Sequence, residues 1–361
     1  MIAVTGGGTG GHIFPIIAVI EELRRRGFEK IVWIGSKGGS ESGWAHKVGV
    51  QYYAISTGKL RRYFALRNFT DFFRVLLGIA QSLFLLRKIR PQVLFSKGGF
   101  VCVPPVLAAK LCRVPVVTHE SDIVPGLATK IISRCASAVC VGFRHTANYF
   151  PDRSVFYTGN PVRQSVVNGS GERGARWLGF ERVLPIVFVV GGSTGASAIN
   201  EVVWKMLDEE KCPFNIAHQC GRGNLREGLS GKEGYRQFEF LEEHMGDVLK
   251  AASVVVSRAG AGALYEIGIL QKASILVPLP KSASRGEQIE NARYWKEHGA
   301  CVLIPQESFD SEKLKRAIEE LLGDSKRLGG MGQAAGELVR NGASKAIGDV
   351  IVNIKSHAAK K

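Results

Sequence analysis

No two of the seven cysteines form a Cys-x-x-Cys pair; they are scattered at positions 102, 112, 135, 140, 212, 220 and 301. The number is odd and shows neither a zinc spacing nor a disulfide framework, which points to a reducing compartment. Long hydrophobic runs are missing too. The longest, Phe72 to Leu86, is 15 residues and is broken by Arg74 and Gln81, short of the ~20 helical residues that span a bilayer. No basic segment leads into an apolar core at the start, so no signal peptide is expected. The 43 glycines have no three-residue period, which excludes a collagen-like chain. Acidic residues are scarce in one half only. Residues 1–162 hold 21 Lys and Arg against 8 Asp and Glu, while residues 163–361 hold 27 against 24. The net charge of +16 thus divides into +13 and +3. A basic half suggests a polyanionic partner: nucleic acid, a phosphorylated substrate or an anionic membrane.

What is present is a folded chain. Its 361 residues are 45% apolar and 22% charged, which excludes disorder. At ~150 residues per domain, two domains are expected. The pattern is strand then helix, repeated. Ile2–Thr5 reads as a strand and 13–26 as a helix, with Arg24, Arg25 and Arg26 in its last turn and Gly27 as the stop. Short apolar runs at 31–35, 93–97, 115–120 and 138–142 read as parallel strands. The second half repeats the plan from Ile186–Val190 onward, with strands at 253–257, 274–278 and 301–304. Its helices are predicted at 261–270, 287–297 and 311–322. Such alternation implies an α/β fold with two doubly wound parallel sheets. Gly159-Asn-Pro interrupts the pattern and sets the seam. The expected domains are 1–162 and 163–361, with a tail helix from about 341 free to pack back on the first.

Four glycine turns follow predicted strands: Gly6–Gly11, Gly98–Gly99, Gly191–Gly195 and Gly260–Gly262. Glycine lets backbone approach a ligand, and the helix that follows offers free N–H groups that suit phosphate. The first turn satisfies G-x-G-x-x-G through Gly6, Gly8 and Gly11. A dinucleotide reading then needs an acid ~20 residues on. The second strand ends instead in Gly35-Ser36-Lys37, which could accept a ribose phosphate, so an NADP oxidoreductase is the alternative. A phosphate-binding Walker loop fails because His12 stands where Lys should be. His12, at the start of a helix, reads either as a capping histidine or as a base; the helix N-terminus disfavours its protonated form.

Six motifs occur in a telling order: Thr5-Gly-Gly-Gly-Thr-Gly-Gly-His12, Ser96-Lys-Gly-Gly-Phe100, His119-Glu-Ser-Asp122, Gly159-Asn-Pro-Val-Arg163, Gly191-Gly-Ser-Thr-Gly195, and Ser257-Arg-Ala-Gly260 followed by Glu266. In this order the chain resembles the MurG family of bacterial N-acetylglucosaminyl transferases, to about residue 340. The resemblance implies two Rossmann-like domains facing a cleft, the GT-B glycosyltransferase architecture. It implies transfer of N-acetylglucosamine from its UDP donor to lipid I, an undecaprenyl-diphosphate muramyl pentapeptide, giving lipid II of peptidoglycan synthesis with inversion. No cofactor is implied, and no metal at the site.

Inverting displacement needs a base for the acceptor hydroxyl and positive charge for the departing diphosphate. None of the eight Asp has another Asp two positions away, so the Asp-x-Asp metal pair of another nucleotide-sugar architecture is missing. The diphosphate then falls to backbone N–H groups and to Arg163, Ser193 and Arg258. The resemblance assigns the catalytic set to His12, Asp122 and Glu120, with the base left between His12 and Asp122. It places UDP-N-acetylglucosamine on Thr9, Gly10, Gly11, Arg163, Ser193, Thr194, Gly195, Leu241, Met245, Arg258, Gly260, Ala261, Gly262, Ala263, Glu266, Gln288 and Asn291. Glu266 would hold the ribose and the two amides the sugar. The acceptor set is Gly8, Lys97, Gly98, Gly99, Phe100 and His119. Thr194, Glu287, Ser121 and Asp122 depart from the family pattern, so a paralogue using another lipid acceptor is the second reading.

Residues 59–90 carry Lys59, Arg61, Arg62, Arg67, Arg74, Arg87, Lys88 and Arg90 among Phe64, Phe69, Phe72, Phe73, Leu76, Leu77, Leu83 and Phe84. The spacing fits a helix face. It reads as a helix packed on the sheet or as a peripheral docking face for the anionic cytoplasmic leaflet, where each basic residue adds ~1 kcal/mol. A nucleic-acid partner is not expected: the window mixes charge with aliphatic rather than stacking residues, and no binding motif is present.

Overall fold

The computed structural model describes residues 1–58, 66–192, 194–209 and 211–358, the side chains of 66–69 and 358 apart. The expected contributions of Lys59, Arg61, Arg62, Phe64, Arg67, Phe69 and Ser193 lie outside the described residues. The chain divides into two units, one of Met1–Pro161 with Asn341–Lys361, the other of Val162–Arg340.

The first unit holds seven strands: β1 Ile2–Thr5, β2 Ile31–Ser36, β3 Gln51–Ile55, β4 Val93–Ser96, β5 Val116–Glu120, β6 Ala138–Val141 and β7 Val155–Tyr157. Their order is β3-β2-β1-β4-β5-β6-β7, with every neighbour parallel. Ile2 registers with Ile31 on one side and Val93 on the other. The direction of winding reverses there, so the ligand crevice of such a sheet opens at the carboxyl ends of β1 and β4. The central strands are buried on both faces, as their continuous apolar runs require. One face packs on the helix Gly10–Arg25 and on the tail helix Ala343–Ala358, through Ile16, Ile20, Ile347 and Ile351. The tail is fastened by Arg26, whose guanidinium pairs with Asp349 at 2.8 Å and donates to the Lys345 carbonyl at 2.8 Å. The other face packs on Leu85, Leu86, Val103 and Val106.

The second unit holds β8 Ile186–Val190, β9 Asn215–Gln219, β10 Tyr235–Phe238, β11 Val254–Ser257, β12 Ala273–Leu276 and β13 Val302–Leu303. The order is β10-β9-β8-β11-β12-β13, again parallel. Its crevice opens at the carboxyl ends of β8 and β11. The core lies on both faces, around Phe188, Leu264 and Trp295 on one and Ile199, Ile275 and Leu314 on the other.

Candidate active site

In the first unit, three loops leave the carboxyl ends of β1, β4 and β5. The first helix starts at Gly10 rather than at the expected residue 13, so Gly10, Gly11 and His12 form its first turn. Glycine is a poor helix former, and the apolar pattern begins only at Ile13, which is why sequence placed the start late. Thr9 precedes this turn without a side-chain cap. The Gly10 and Gly11 N–H groups have no partner among the described residues. They remain open to a ligand. The His12 ring lies against Gly99, whose missing Cβ would sit 3.2 Å from Nε2. The loops after β1 and β4 therefore meet at His12. Phe100 covers Gly8 from the same side.

Beneath them is a set of buried charges. Lys97 is almost wholly buried and donates through Nζ to Ser121 Oγ. Burial pulls its pKa down, while the negative charges of Glu120 and Asp122 oppose that. Glu120 accepts from the backbone N–H groups of Ser121 at 2.8 Å, Asp122 at 3.1 Å and Gly126 at 3.2 Å. Both its oxygens help to shape this loop. His119 was expected to touch the acceptor, yet it has no exposed surface and donates through Nε2 to the Gly159 carbonyl at 2.9 Å. Burial, helped by the Lys97 charge, drives its pKa well below the usual histidine value. Asn160 Nδ2 donates to the Ser121 carbonyl at 3.1 Å. Two motifs distant in sequence, His119–Asp122 and Gly159–Arg163, thus fasten each other.

In the second unit, the glycine loop after β8 is set by Gln219, which donates to the Gly192 carbonyl at 3.1 Å and accepts from the Leu241 N–H at 2.8 Å. Gln219 was missed in the sequence: it is a buried polar residue at the end of a strand that has no apolar run. Behind it stands a neutral network of Asn200, His218, Tyr235 and Trp204. Thr194 and Gly195 complete the described part of that loop.

The loop after β11 leads into the helix Ala261–Ile269, preceded by Gly260, which has no side chain to cap it. The N–H groups of Ala261, Gly262 and Ala263 have no partner among the described residues. A Cβ on Gly260 or Gly262 would meet nothing within 4 Å, so this helix start faces open space. Arg258 is buried beside it, donating to the Val277 carbonyl at 2.9 Å, with a buried Nε lacking a partner. Asn291, placed by sequence on the sugar, is buried and holds the Ala259 carbonyl at 3.1 Å. Gln288 accepts from the Leu279 N–H at 3.1 Å. Leu241 and Met245, which the resemblance places on the donor, put their side chains in the core. Arg163 and Glu266 approach to 3.9 Å. Burial raises the Glu266 pKa, and Arg163 partly offsets this.

The NADP alternative meets an obstacle at the end of β2. The Ser36 N–H and hydroxyl both donate to the buried carboxylate of Glu41, at 2.7 and 2.5 Å. A ribose phosphate there would face a carboxylate, and its donors are already taken.

On the outside of the first unit, the helix Leu66–Ile89 buries Asp71, Val75, Ser82, Leu85 and Leu86. Its opposite side exposes Phe72, Phe73, Leu76, Leu77 and Phe84, the last at 73%. Among the described residues, no helix is long and apolar enough to cross a membrane.

Comparison with known proteins identifies the frame that holds these loops. The model of the glycosyltransferase family 28 N-terminal domain matches residues 2–141, and that of the family's C-terminal domain matches residues 186–347. The chain belongs to glycosyltransferase family 28. Family 28 relatives include a Clostridium perfringens protein, 44% identical over 320 residues, or 89% of each chain. It is named UDP-N-acetylglucosamine--N-acetylmuramyl-(pentapeptide) pyrophosphoryl-undecaprenol N-acetylglucosamine transferase. A Bacillus cereus protein of the same name, numbered 2, is 46% identical over 89% of this chain and 91% of its own. Among solved structures, Acinetobacter baumannii MurG superposes with a TM-score of 0.76 at 26% identity, covering 98% of this chain and 99% of that one. The family fold is the two-sheet GT-B architecture.

Proposed function

We propose that this family 28 chain transfers N-acetylglucosamine from UDP-N-acetylglucosamine to the 4-hydroxyl of lipid I, inverting the anomeric carbon and releasing UDP. One observation carries the reading. Each sheet puts a glycine loop and an uncapped helix start at the carboxyl ends of its two central strands, in a chain 44% identical across 89% of its length to transferases named for this reaction.

The donor belongs to the second unit. The free N–H groups of Ala261, Gly262 and Ala263 and the dipole of their helix meet the diphosphate, whose charge grows as the sugar leaves. Arg163 adds a guanidinium, and buried Arg258 adds positive potential. Glu266 accepts from two ribose hydroxyls. The acceptor belongs to the first unit, on Gly8, Gly98, Gly99 and Phe100, next in sequence to Thr9, Gly10 and Gly11, which the resemblance gives to the donor. As the 4-hydroxyl attacks, His12 takes its proton. Asp122 is the second candidate, and Glu120 supports it by accepting from the Asp122 N–H.

The exposed apolar face of the helix Leu66–Ile89 docks peripherally on the cytoplasmic leaflet, with Arg74, Arg87 and Lys88 facing anionic headgroups. Its proximity to a membrane-bound acceptor is what a lipid substrate requires.

The deciding experiment is transfer of labelled N-acetylglucosamine to a short-chain lipid I analogue. Transfer only to a different prenyl-linked acceptor would keep the donor chemistry and overturn the named acceptor. Flotation with vesicles tests the docking face: Phe84→Ser with Phe72→Ser is expected to reduce binding several-fold, and binding indifferent to salt and lipid charge would remove the electrostatic part.

A further inference from the structure

We propose that Glu41 is a positioning residue for the transfer reaction: its carboxylate fixes the first glycine loop at Gly8, and through Gly8 the helix start that carries His12. The inference rests on the function proposed above.

Glu41 stands in Gly39-Ser-Glu-Ser, at the start of the short helix Glu41–Lys47. In the structure it has no exposed surface. It makes no ion pair among the described residues, so its negative charge is buried without a cation against it. Such burial is costly unless hydrogen bonds replace water. They do. One oxygen accepts from the Ser36 N–H and hydroxyl, and the other from the Gly8 N–H at 3.1 Å. Tyr52 closes the remaining side: its hydroxyl donates to the Ser36 carbonyl at 2.7 Å and lies 3.4 Å from Glu41 Oε1, the oxygen that does not hold Gly8.

The surrounding chain makes room for this one group. A Cβ on Gly7 or on Gly39 would collide with both carboxylate oxygens. Glycine at position 7 is therefore required by Glu41 rather than by a ligand. That changes what the first glycine loop is. One of its N–H groups is already spent on the protein, and the donors left for a ligand are those at the helix start, four residues or fewer past Gly8.

The choice of a carboxylate follows from what it must hold. Both of its backbone targets, Gly8 and Ser36, are donors, and a carboxylate is acceptor on both oxygens. An amide would turn its NH₂ toward one of them. In the second unit Gln219 bridges a carbonyl and an N–H, and there an amide fits. Glu41→Gln is therefore nearly isosteric yet breaks one clamp, which makes it the informative substitution.

The test is steady-state transfer to a lipid I analogue, with UDP-N-acetylglucosamine binding measured separately. Glu41→Gln is expected to lower kcat/KM for the acceptor at least tenfold while the donor dissociation constant changes less, because Ala261, Gly262, Ala263 and Glu266, which hold the diphosphate and ribose, lie in the other unit. Tyr52→Phe serves as the control for stability. It removes a buried hydrogen bond from the same cluster but leaves Gly8 held, so it lowers the Tm with kcat/KM within about twofold of wild type. Wild-type acceptor kinetics in a folded Glu41→Gln overturn the proposal, as do equal losses in Glu41→Gln and Tyr52→Phe. Should Glu41→Gln fail to fold, Gly7→Ala displaces the carboxylate instead and must give the same acceptor-selective loss. Wild-type protein that transfers nothing to lipid I would sink the functional reading itself, an outcome separate from these.

Discussion

The two units hold their loops by different chemistry. In the first, the buried groups behind the loops carry charge: Glu41, Lys97 and Glu120. In the second, they are mostly neutral: Gln219, Asn200 and Asn291, with His218 kept uncharged by burial. The difference matches the two halves of a displacement reaction. A departing diphosphate needs a fixed, electropositive backbone that does not reorganise. A carboxylate behind that backbone would oppose it, whereas an amide does not. Removing a hydroxyl proton needs a group whose charge changes, set among charges that hold it in register. The basic excess of the first half, +13 of the total +16, is thus not spread evenly over function. Part of it, Lys97, is inside, facing Glu120 and Asp122.

The sharpest way to break this comparison is at His12. His12→Ala is expected to lower kcat by ~10²–10⁴-fold, the usual worth of a positioned base, with donor KM nearly unchanged. If Asp122→Asn shows that loss and His12→Ala does not, the base is Asp122. Next comes Glu266. Its Gln variant is expected to raise donor KM about tenfold and leave acceptor KM alone. Burial raises the Glu266 pKa, so in wild type the donor KM should climb as pH falls, beginning above the usual carboxylate range. That limb should vanish in Glu266→Gln; a limb that persists would assign it elsewhere. Third, Gln219→Ala strands the Gly192 carbonyl and the Leu241 N–H. It should cost ~1–3 kcal/mol of stability and raise donor KM, measured by denaturant unfolding and by initial rates.

The last prediction, smallest at neutral pH, concerns the buried histidines, one in each unit. Burial holds His218 down at about 3 and His119 well below its ordinary value. Both are neutral when folded and titrate near 6.5 when unfolded. Stability is therefore fully present above that pH and is lost as pH falls below it, at up to ~1.4 kcal/mol per pH unit for each. For His218 the loss runs on to about pH 3. His218→Gln should remove one share of the slope in pH-dependent unfolding, and an unchanged slope would refute the neutral network around it.

Alternation of apolar runs with helical stretches made both sheets legible, because buried parallel strands leave continuous hydrophobic segments. Four strands were not visible. Gln51–Ile55, Val155–Tyr157 and Tyr235–Phe238 are edge strands, partly exposed and mixed in composition. Asn215–Gln219 is buried but carries Asn, His and Gln for hydrogen bonding. The glycine loops were legible because turns at strand ends need glycine. What was not legible is who holds them. Glu41 and Gln219 are polar residues whose buried place shows only once Gly8, Gly192 and Leu241, each more than 20 residues from its partner, are in place. The burial of His119 and Glu120 was not legible either, because polarity in a motif does not tell inside from outside.

The tail helix has a consequence for synthesis. Ile347 and Ile351 belong to the core of the first unit, yet they leave the ribosome only after Val162–Arg340 has been made. At ~5–20 residues per second, the first sheet waits on the order of 10–40 s with one apolar face covered only in part, by the helix Gly10–Arg25. The second unit has every one of its strands and helices before then. The half that begins the chain is the last to be finished.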